Sequence, residues 1–136
     1  MCIRDSVYIA DRHNQRIRQV SAAGTISTLA GSGAPTFAGG FGGDGSTAAS
    51  STLSKPTGVS VDAAGNVYIA DTANQRIRQV TGTAITTVEG NGDQGFAGDG
   101  SAATAATLNA PRSAAPDATG NLAVACLLYT SPSPRD

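Results

Sequence analysis

A long internal repeat limits the folds open to this chain more than any other feature of its 136 residues. Residues 7–11 (VYIAD) recur as residues 67–71, and residues 14–20 (NQRIRQV) recur unchanged as residues 74–80. Repeats of this size are typical of proteins that stack copies of one supersecondary unit, because a single unit cannot bury its own apolar surface. We therefore expect stacked copies of one small unit.

The repeat continues through a glycine-rich loop. Residues 41–45 (FGGDG) return as residues 96–100 (FAGDG), and Gly65 with Asn66 returns as Gly120 with Asn121. The chain thus contains one complete unit between two partial ones. Their predicted boundaries are residues 7–56, 57–110 and 111–125.

Within the complete unit, apolar residues alternate as in β-strands and do not follow a helical period. Residues that favour tight turns, chiefly Asp, Asn and Gly, separate the segments. The predicted strands are residues 58–62, 66–70, 75–80 and 84–88. Four short strands joined by tight turns predict a four-stranded antiparallel meander in each unit.

The second strand indicates how these sheets pack. Val67 and Ile69 point to one face of the sheet, and Tyr68 and Ala70 point to the other. Both faces are therefore apolar, whereas a sheet with one wet face alternates apolar with polar residues. This pattern predicts that each sheet lies between two like sheets, as the blades of a β-propeller do.

Three segments of the complete unit resemble the NHL repeat: residues 56–62 (PTGVSVD), 65–71 (GNVYIAD) and 74–78 (NQRIR). The run at residues 95–111 is similar to the long loop between blades of bacterial NHL proteins. The resemblance covers most of residues 7–125. It implies an all-β fold, a partial β-propeller of four-stranded antiparallel blades from a ring that commonly has six.

The third copy departs from the repeat. Residues 113–117 read SAAPD where the preceding copy has GVSVD. Proline cannot donate to a β-ladder, so Pro116 is expected to weaken the inner strand of this copy.

Both ends of the sequence resemble translated sequencing adapters, which are left out of fold reasoning. These segments are residues 1–6, beginning MCIRD, and residues 126–136, CLLYTSPSPRD. Both cysteines, Cys2 and Cys126, fall within them. Cysteine spacing therefore indicates neither a disulfide framework nor a zinc site. The remaining blades of a longer propeller are the expected neighbours of this fragment.

Composition narrows the class of partner. The net charge is −1 and aromatic residues make up 4% of the chain, so nothing suggests a basic, aromatic surface for nucleic acid. No apolar stretch is long enough to span a membrane. With the resemblance to bacterial NHL proteins, the expected setting is extracellular or periplasmic.

The strongest polar pattern surrounds the turn between the second and third strands of each unit. Its Asp and Asn can accept hydrogen bonds from backbone N–H groups of the turn, and its Arg can pair with the carboxylate. Because both copies contain the same residues, we expect a structural network that holds the hairpin. Its members are Asp11, Asn14, Arg16, Asp71, Asn74 and Arg76.

The residues that differ between otherwise identical hairpins are better candidates for function. Arg12 and His13 occupy the turn of one copy, and Thr72 and Ala73 occupy that of the other. We take these four as possible partner-binding loop tips. His13 is the only histidine and gives no metal site by itself.

Other motifs give weaker evidence of a binding site. Residues 90–95 (GNGDQG) match the dinucleotide fingerprint by letter, but the fingerprint requires a following helix. One carboxylate in each glycine-rich loop, Asp44 or Asp99, is too few for a calcium site. We expect Asp99 or Ser101 to cap a short helical turn over residues 102–108.

The sequence contains no recognisable catalytic triad, catalytic residue, metal site or cofactor site. The favoured hypothesis is a non-catalytic scaffold that binds a protein or carbohydrate. The alternative is part of a six-bladed propeller enzyme, a metal-assisted lyase or hydrolase whose site lies mostly in missing blades. For that alternative, Asp62 and Asp117 are the candidate carboxylates at the inner strand ends.

Overall fold

A computed structural model describes residues 6–33 and 41–126, and its architecture is a partial β-propeller. The sequence repeats form three separate antiparallel sheets of three, four and two strands. The first sheet contains β1 (Val7–Asp11), β2 (Arg16–Val20) and β3 (Ile26–Ala30). The second contains β4 (Pro56–Val61), β5 (Val67–Asp71), β6 (Arg76–Thr81) and β7 (Ala84–Glu89), and the third contains β8 (Pro111–Pro116) and β9 (Leu122–Cys126).

The predicted all-β fold class with four-stranded antiparallel blades is confirmed. The central sheet is a meander in the order β4, β5, β6, β7, with every neighbouring pair antiparallel. Its strand bounds differ from the predicted ones by one or two residues. Asp62 lies just after β4, because its side chain accepts hydrogen bonds from the turn. Gln75 lies just before β6, because its φ of 56° is left-handed.

The central blade buries both faces, as its sequence pattern indicated. One face contributes Val67 and Ile69 to an apolar cluster shared with Ile17 of the first blade. The other face contributes Ala70 and Ile77 to a cluster with Ala114 of the third sheet. The apolar core is therefore divided into layers between blades, which is the packing of a propeller.

The first and second blades are also joined by the loop between them. Leu53, at the end of this loop, is 1% exposed and belongs to the cluster between these blades. Each inter-blade loop contains one turn of 3₁₀-helix, at Ala48–Ser50 and at Ala103–Ala105. The second is shorter than the expected turn over residues 102–108. Ser101 does not cap it, because its hydroxyl donates to the carbonyl of Gly98 at 2.5 Å.

Pro116 was expected to weaken the inner strand of the third copy, and the structure shows that this strand forms with Pro116 in it. Pro116 is the last residue of β8 and lies opposite Leu122 of β9. The next residue, Asp117, donates its N–H to Asn121 across the pair at 2.9 Å. Because successive N–H groups of a strand point to opposite sides, residue 116 faces away from β9, and no β8–β9 hydrogen bond is lost.

The segments assigned to adapters lie mostly outside the described residues. Within the described part, Cys126 lies at the end of β9 opposite Pro111, and it is a free thiol. The complete unit begins with β4, whose first residue is Pro56.

Gly58 allows the third sheet to approach the central blade closely. A Cβ atom at this position would lie 2.5 Å from the carbonyl oxygen of Arg112 and 3.3 Å from the Cα of Ser113. Both atoms belong to backbone, so they cannot move aside as a flexible side chain would. The absence of a side chain at residue 58 therefore sets the distance between β4 and β8.

We predict that Gly58→Ala destabilises the chain by about 1–3 kcal/mol, the usual cost of overpacking. Urea unfolding followed by circular dichroism measures this change. Gly42→Ala is the matched control, because a Cβ there would lie 3.7 Å from the nearest atom and its φ is not left-handed. Equal midpoints for the two variants would contradict this account of the packing.

Candidate functional site

The turn between the second and third strands of a blade has the same construction in both copies. It is one turn of 3₁₀-helix, at Arg12–Asn14 and at Thr72–Asn74. The Asn14 amide donates to the Asp11 carboxylate at 3.1 Å, and the Asn74 amide donates to Asp71 at 2.8 Å. The structure therefore brings together the Asp and Asn of the predicted network in each hairpin.

The arginine that pairs with the carboxylate is not the predicted residue, although Arg76 does bind the hairpin by donating to the carbonyl of Asn74 at 3.4 Å. Arg76 stands opposite Asp71 in the β-ladder, yet its guanidinium donates to the carbonyl of Asn91 at 3.0 Å. The carboxylate instead receives a hydrogen bond from Arg78, at 3.1 Å. In the first blade, Arg16 likewise donates to a loop carbonyl, and Arg18 lies 4.0 Å from Asp11. The cause is tertiary, because the loop after each blade supplies a carbonyl that accepts a hydrogen bond from Arg16 or Arg76.

Arg78 is the centre of this network and is fully buried, at 0% exposure. It donates to Asp71 and Thr52 through Nη1, to Gly42 through Nη2, and to Asp44 through Nη2 and Nε, all within 3.2 Å. The five N–H donors of the guanidinium are thus all satisfied. Arg78 binds the glycine-rich loop to the central blade, and it is unavailable to nucleic acid.

The same loop covers the arginines with an aromatic ring. The guanidinium carbon of Arg76 lies 3.5 Å from the centre of the Phe41 ring, and that of Arg78 lies 4.6 Å from it. These are cation–π distances. Phe41 and Asp44 therefore act together on the two arginines, and the loop is part of the blade's packing.

Burial raises the pKa of Asp71, since the charged form loses its water. Hydrogen bonds from Asn74, from the Ser54 N–H at 2.7 Å and from Arg78 oppose this effect and favour the carboxylate. The ion pair with Arg78 is thus desolvated on both sides, because both side chains are 0% exposed. Loss of one partner would leave the other charge buried and unpaired.

A repeated glutamine also holds each hairpin in place, a role that was not predicted from the sequence. Gln15 and Gln75 have φ values of 57° and 56°. Their side-chain oxygens accept the N–H of Lys55 at 2.5 Å and of Ala110 at 2.6 Å. Each glutamine therefore attaches its hairpin to the start of the next blade. The sequence feature that could have indicated this role is the glutamine itself, which is unchanged in both NQR segments.

The two hairpin tips are not equivalent. Arg12 and His13 are exposed, and so is Ala73. Thr72 is 9% exposed, and its hydroxyl donates to the Pro111 carbonyl at 2.6 Å. Thr72 is therefore not an accessible tip, because β8 of the next sheet covers it. The exposed surface of this face contains Arg12 and His13 on one blade and Ala73 on the next.

The carboxylates considered for the enzyme alternative belong to turns. Asp62 accepts hydrogen bonds from the backbone of Ala64 and Asn66, from the Asn66 amide and from the Tyr68 hydroxyl. Burial raises its pKa, but these hydrogen bonds together lower it below the ordinary value. Asp117 accepts hydrogen bonds from the Asn121 N–H, which has the largest effect, and from Thr119. These bonds lower its pKa as well. Both residues hold a turn beside an inner strand.

The remaining motifs also fall on structural positions. Asp44 binds Arg78 and accepts the Thr87 hydroxyl at 2.6 Å, while Asp99 is exposed. Residues 90–95 lead into more loop, not into a helix. Across residues 6–33 and 41–126, no three His, Cys, Asp or Glu side chains are placed to hold a metal ion. None of the helical turns in those ranges has the length or apolar character needed to cross a membrane.

Comparisons with known proteins agree with this architecture. Residues 53–80 match the NHL repeat. None of the curated proteins matches the chain. A Bacteroides thetaiotaomicron protein of unknown function superposes with a TM-score of 0.75 at 22% identity, over 89% of this chain and 30% of its own. At this identity, the likeness shows the fold alone.

Two further structures are described as auxiliary nutrient binding proteins. One, from Bacteroides thetaiotaomicron, has a TM-score of 0.62 at 21% identity. The other, from Bacteroides ovatus, has a TM-score of 0.60 at 20% identity. Each match covers 85% of this chain and 30% of that structure. The chain thus spans less than a third of the length of these proteins.

We predict that Arg78→Gln destabilises the chain by about 3–5 kcal/mol, because it leaves Asp71 buried without its cation. The matched control is Arg18→Gln at the same position of the first blade, where both side chains are partly exposed. That change should cost at most about 1 kcal/mol. Thermal unfolding of both variants measures the difference, and equal losses would show that burial does not set the strength of the pair.

We predict a pKa for Asp62 below 3.8, its ordinary value. A lowered folded-state pKa means that the carboxylate's contribution to stability is complete above pH 3.8 and is lost as the pH falls through the folded value. Carbon-detected NMR titration measures it. Asn66→Ala should raise the pKa of Asp62, whereas Asn121→Ala should affect only Asp117. A titration of Asp62 at or above its ordinary value would refute the turn's role.

Proposed function

We propose that this chain is part of a non-catalytic propeller scaffold that binds a protein or carbohydrate ligand at the hairpin tips. One observation carries the proposal. Two hairpins with the same internal network differ at their exposed tips, with Arg12 and His13 on one and Ala73 on the other. Binding sites on rigid scaffolds are commonly built from such loop residues.

The chemistry of the tip supports a polar ligand. Arg12 offers a planar set of N–H donors, and the His13 imidazole offers a donor, an acceptor and an apolar face. Such groups recognise carboxylates and hydroxyls, which acidic peptides and sugars both present. The hairpin below is held by the Asp11–Asn14 pair and by Gln15, so the tip is presented on a fixed support.

The description of two similar folds as auxiliary nutrient binding proteins is consistent with a binding role. An extracellular or periplasmic location in a bacterium is part of the same proposal. The enzyme alternative has no supporting observation among the described residues, where Asp62 and Asp117 are both occupied in turns.

The test exchanges one natural tip for the other. Arg12→Thr combined with His13→Ala gives the first hairpin the tip of the second. A glycan array and a peptide array of acidic sequences, followed by calorimetry on any hit, should show binding by the parent chain and at least about a tenfold loss in the exchanged variant, or about 1.4 kcal/mol.

The unfolding midpoint of the exchanged variant should stay unchanged, because the side chains of Arg12 and His13 are exposed. Ala23→Thr, in the exposed turn before β3, is the control for a change remote from the tips, and it should bind like the parent chain. Ligand binding that survives the exchange would show that the site lies elsewhere on the scaffold.

A further inference from the structure

A polar cleft of about 430 Å³ lies beside the central blade, between the two glycine-rich loops. Its volume is in the range of small-molecule sites. Within the described part of the chain, none of its lining residues belongs to the hairpin tips at residues 12–13 and 72–73. The polar and aromatic part of the lining comes from the first loop, the central blade and the second loop: Phe41, Asp44, Arg76, Thr87, Asn91 and Thr104.

The cleft does not depend on a blade outside this chain. In the first loop, Ser32 and Ala49 take the places of Asn91 and Thr104, an equivalence fixed by a backbone hydrogen bond common to both loops. Ser32 and Ala49 are exposed although a complete blade follows their loop. A further blade after the second loop would therefore leave Asn91 and Thr104 exposed as well.

The guanidinium of Arg76 is held in the wall of this cleft. Its carbon lies 3.5 Å from the centre of the Phe41 ring, and a Cβ atom on Gly92 would lie 2.7 Å from its Nη2. Its Nη atoms donate to the carbonyls of Asn91 at 3.0 Å and Asn74 at 3.4 Å. Among the described contacts, these bonds use two of the five N–H groups, so the guanidinium can donate to a ligand as well.

Asp44 places an acceptor beside this donor. Its side chain is 33% exposed. Oδ1 accepts two hydrogen bonds from Arg78, and Oδ2 accepts the Thr87 hydroxyl at 2.6 Å. A carboxylate has about four acceptor sites, so Oδ2 retains one for a ligand. Two arginines and two aspartates meet in this network, so its charge sums to zero, which favours a neutral ligand over an anion.

The outer part of the cleft adds groups that suit hydroxyls. The Asn91 amide and the Thr104 hydroxyl are exposed, and each can both donate and accept. A ligand hydroxyl also donates one hydrogen bond and accepts two, so it matches neighbouring donors and acceptors. The Phe41 ring is 42% exposed. The negative face of such a ring attracts the C–H groups of a sugar.

We propose that this cleft binds a neutral pyranose unit of an oligosaccharide, at a site separate from the hairpin tips. Arg76 donates to one sugar hydroxyl and Asp44 accepts from a neighbouring hydroxyl. One face of the sugar lies on the Phe41 ring, and Asn91 and Thr104 bind the outer hydroxyls. This site goes beyond the function proposed for the tips, because it uses other residues and a defined class of ligand.

NMR titration of the ¹⁵N-labelled chain with oligosaccharides tests the proposal. The neutral probes are maltohexaose, cellohexaose, xylohexaose and mannohexaose, and the acidic probe is hexagalacturonate. At least one neutral sugar should shift the side-chain N–H signals of Arg76 and Asn91, and the Phe41 ring should move C–H signals of that sugar upfield. Hexagalacturonate should bind at least about tenfold more weakly, because Asp44 repels its carboxylates.

Asn91→Ser combined with Thr104→Ala gives the second loop the residues of the first. This variant should lose at least about tenfold in affinity and keep its unfolding midpoint, because both side chains are exposed. Phe41→Leu should abolish the upfield shifts while an apolar side chain still covers Arg76. Thr86→Ala is the matched control, since Thr86 is an exposed threonine of β7 that does not line the cleft.

The variant with the exchanged hairpin tip, Arg12→Thr with His13→Ala, should bind the sugar like the parent chain. Loss of binding in this variant would place the sugar at the tips and overturn the proposed cleft site. Three other results would also overturn it: no shift of the Arg76 and Asn91 signals with any neutral probe, equal affinity of the parent and the Asn91→Ser, Thr104→Ala variant, or tighter binding of hexagalacturonate than of every neutral probe.

Discussion

The hydrogen bonds of the buried Arg78 guanidinium are the interactions on which the rest of this structure depends. A charge at 0% exposure requires partners around its whole edge, and Arg78 obtains them from Asp71 within its blade and from Asp44, Gly42 and Thr52 of the preceding loop. The loop is therefore held against the central blade. Once it is fixed there, Leu53 lies in the apolar layer between blades and β4 begins at a defined place.

The repeated residues serve this packing, and of the four residues that differ between the hairpin turns, Arg12, His13 and Ala73 remain at the surface while Thr72 is buried. Asp, Asn, Gln and the second Arg of each hairpin recur because every blade must attach itself to a loop and to the following blade. The side chains of Arg12 and His13 at the first hairpin tip are exposed, so they do not take part in this packing between blades. In a propeller, function is placed on surfaces that the blade's own construction leaves free.

Much of the fold was predictable from the sequence, and the site was predictable only in part. The period-2 pattern with two apolar faces correctly indicated blades buried on both sides, and the turn residues located the strands to within one or two positions. The Asp and Asn of each turn were also predicted to hold the hairpin, because both copies contain them. The structure shows that the two side chains bind each other, three residues apart in the same turn.

The partners of the arginines were not predictable, because they come from loops distant in sequence. Arg76 extends to Asn91, Arg78 reaches Asp44, and Gln75 binds the N–H of Ala110. Thr72 was predicted to be an exposed loop tip, but β8 covers it and the Pro111 carbonyl accepts its hydrogen bond. Pro116 was predicted to weaken its strand, but the N–H that proline lacks would point away from β9.

The sequence by itself determined the repeating unit, the strand pattern and the two apolar faces, since these follow from residue period and turn chemistry within a few positions. Tertiary structure decided which arginine is buried, which hairpin tip stays exposed and which loop carbonyls bind Arg16 and Arg76. These outcomes depend on how one blade meets the next. Identical segments, such as NQRIRQV at residues 14–20 and 74–80, therefore end in different environments.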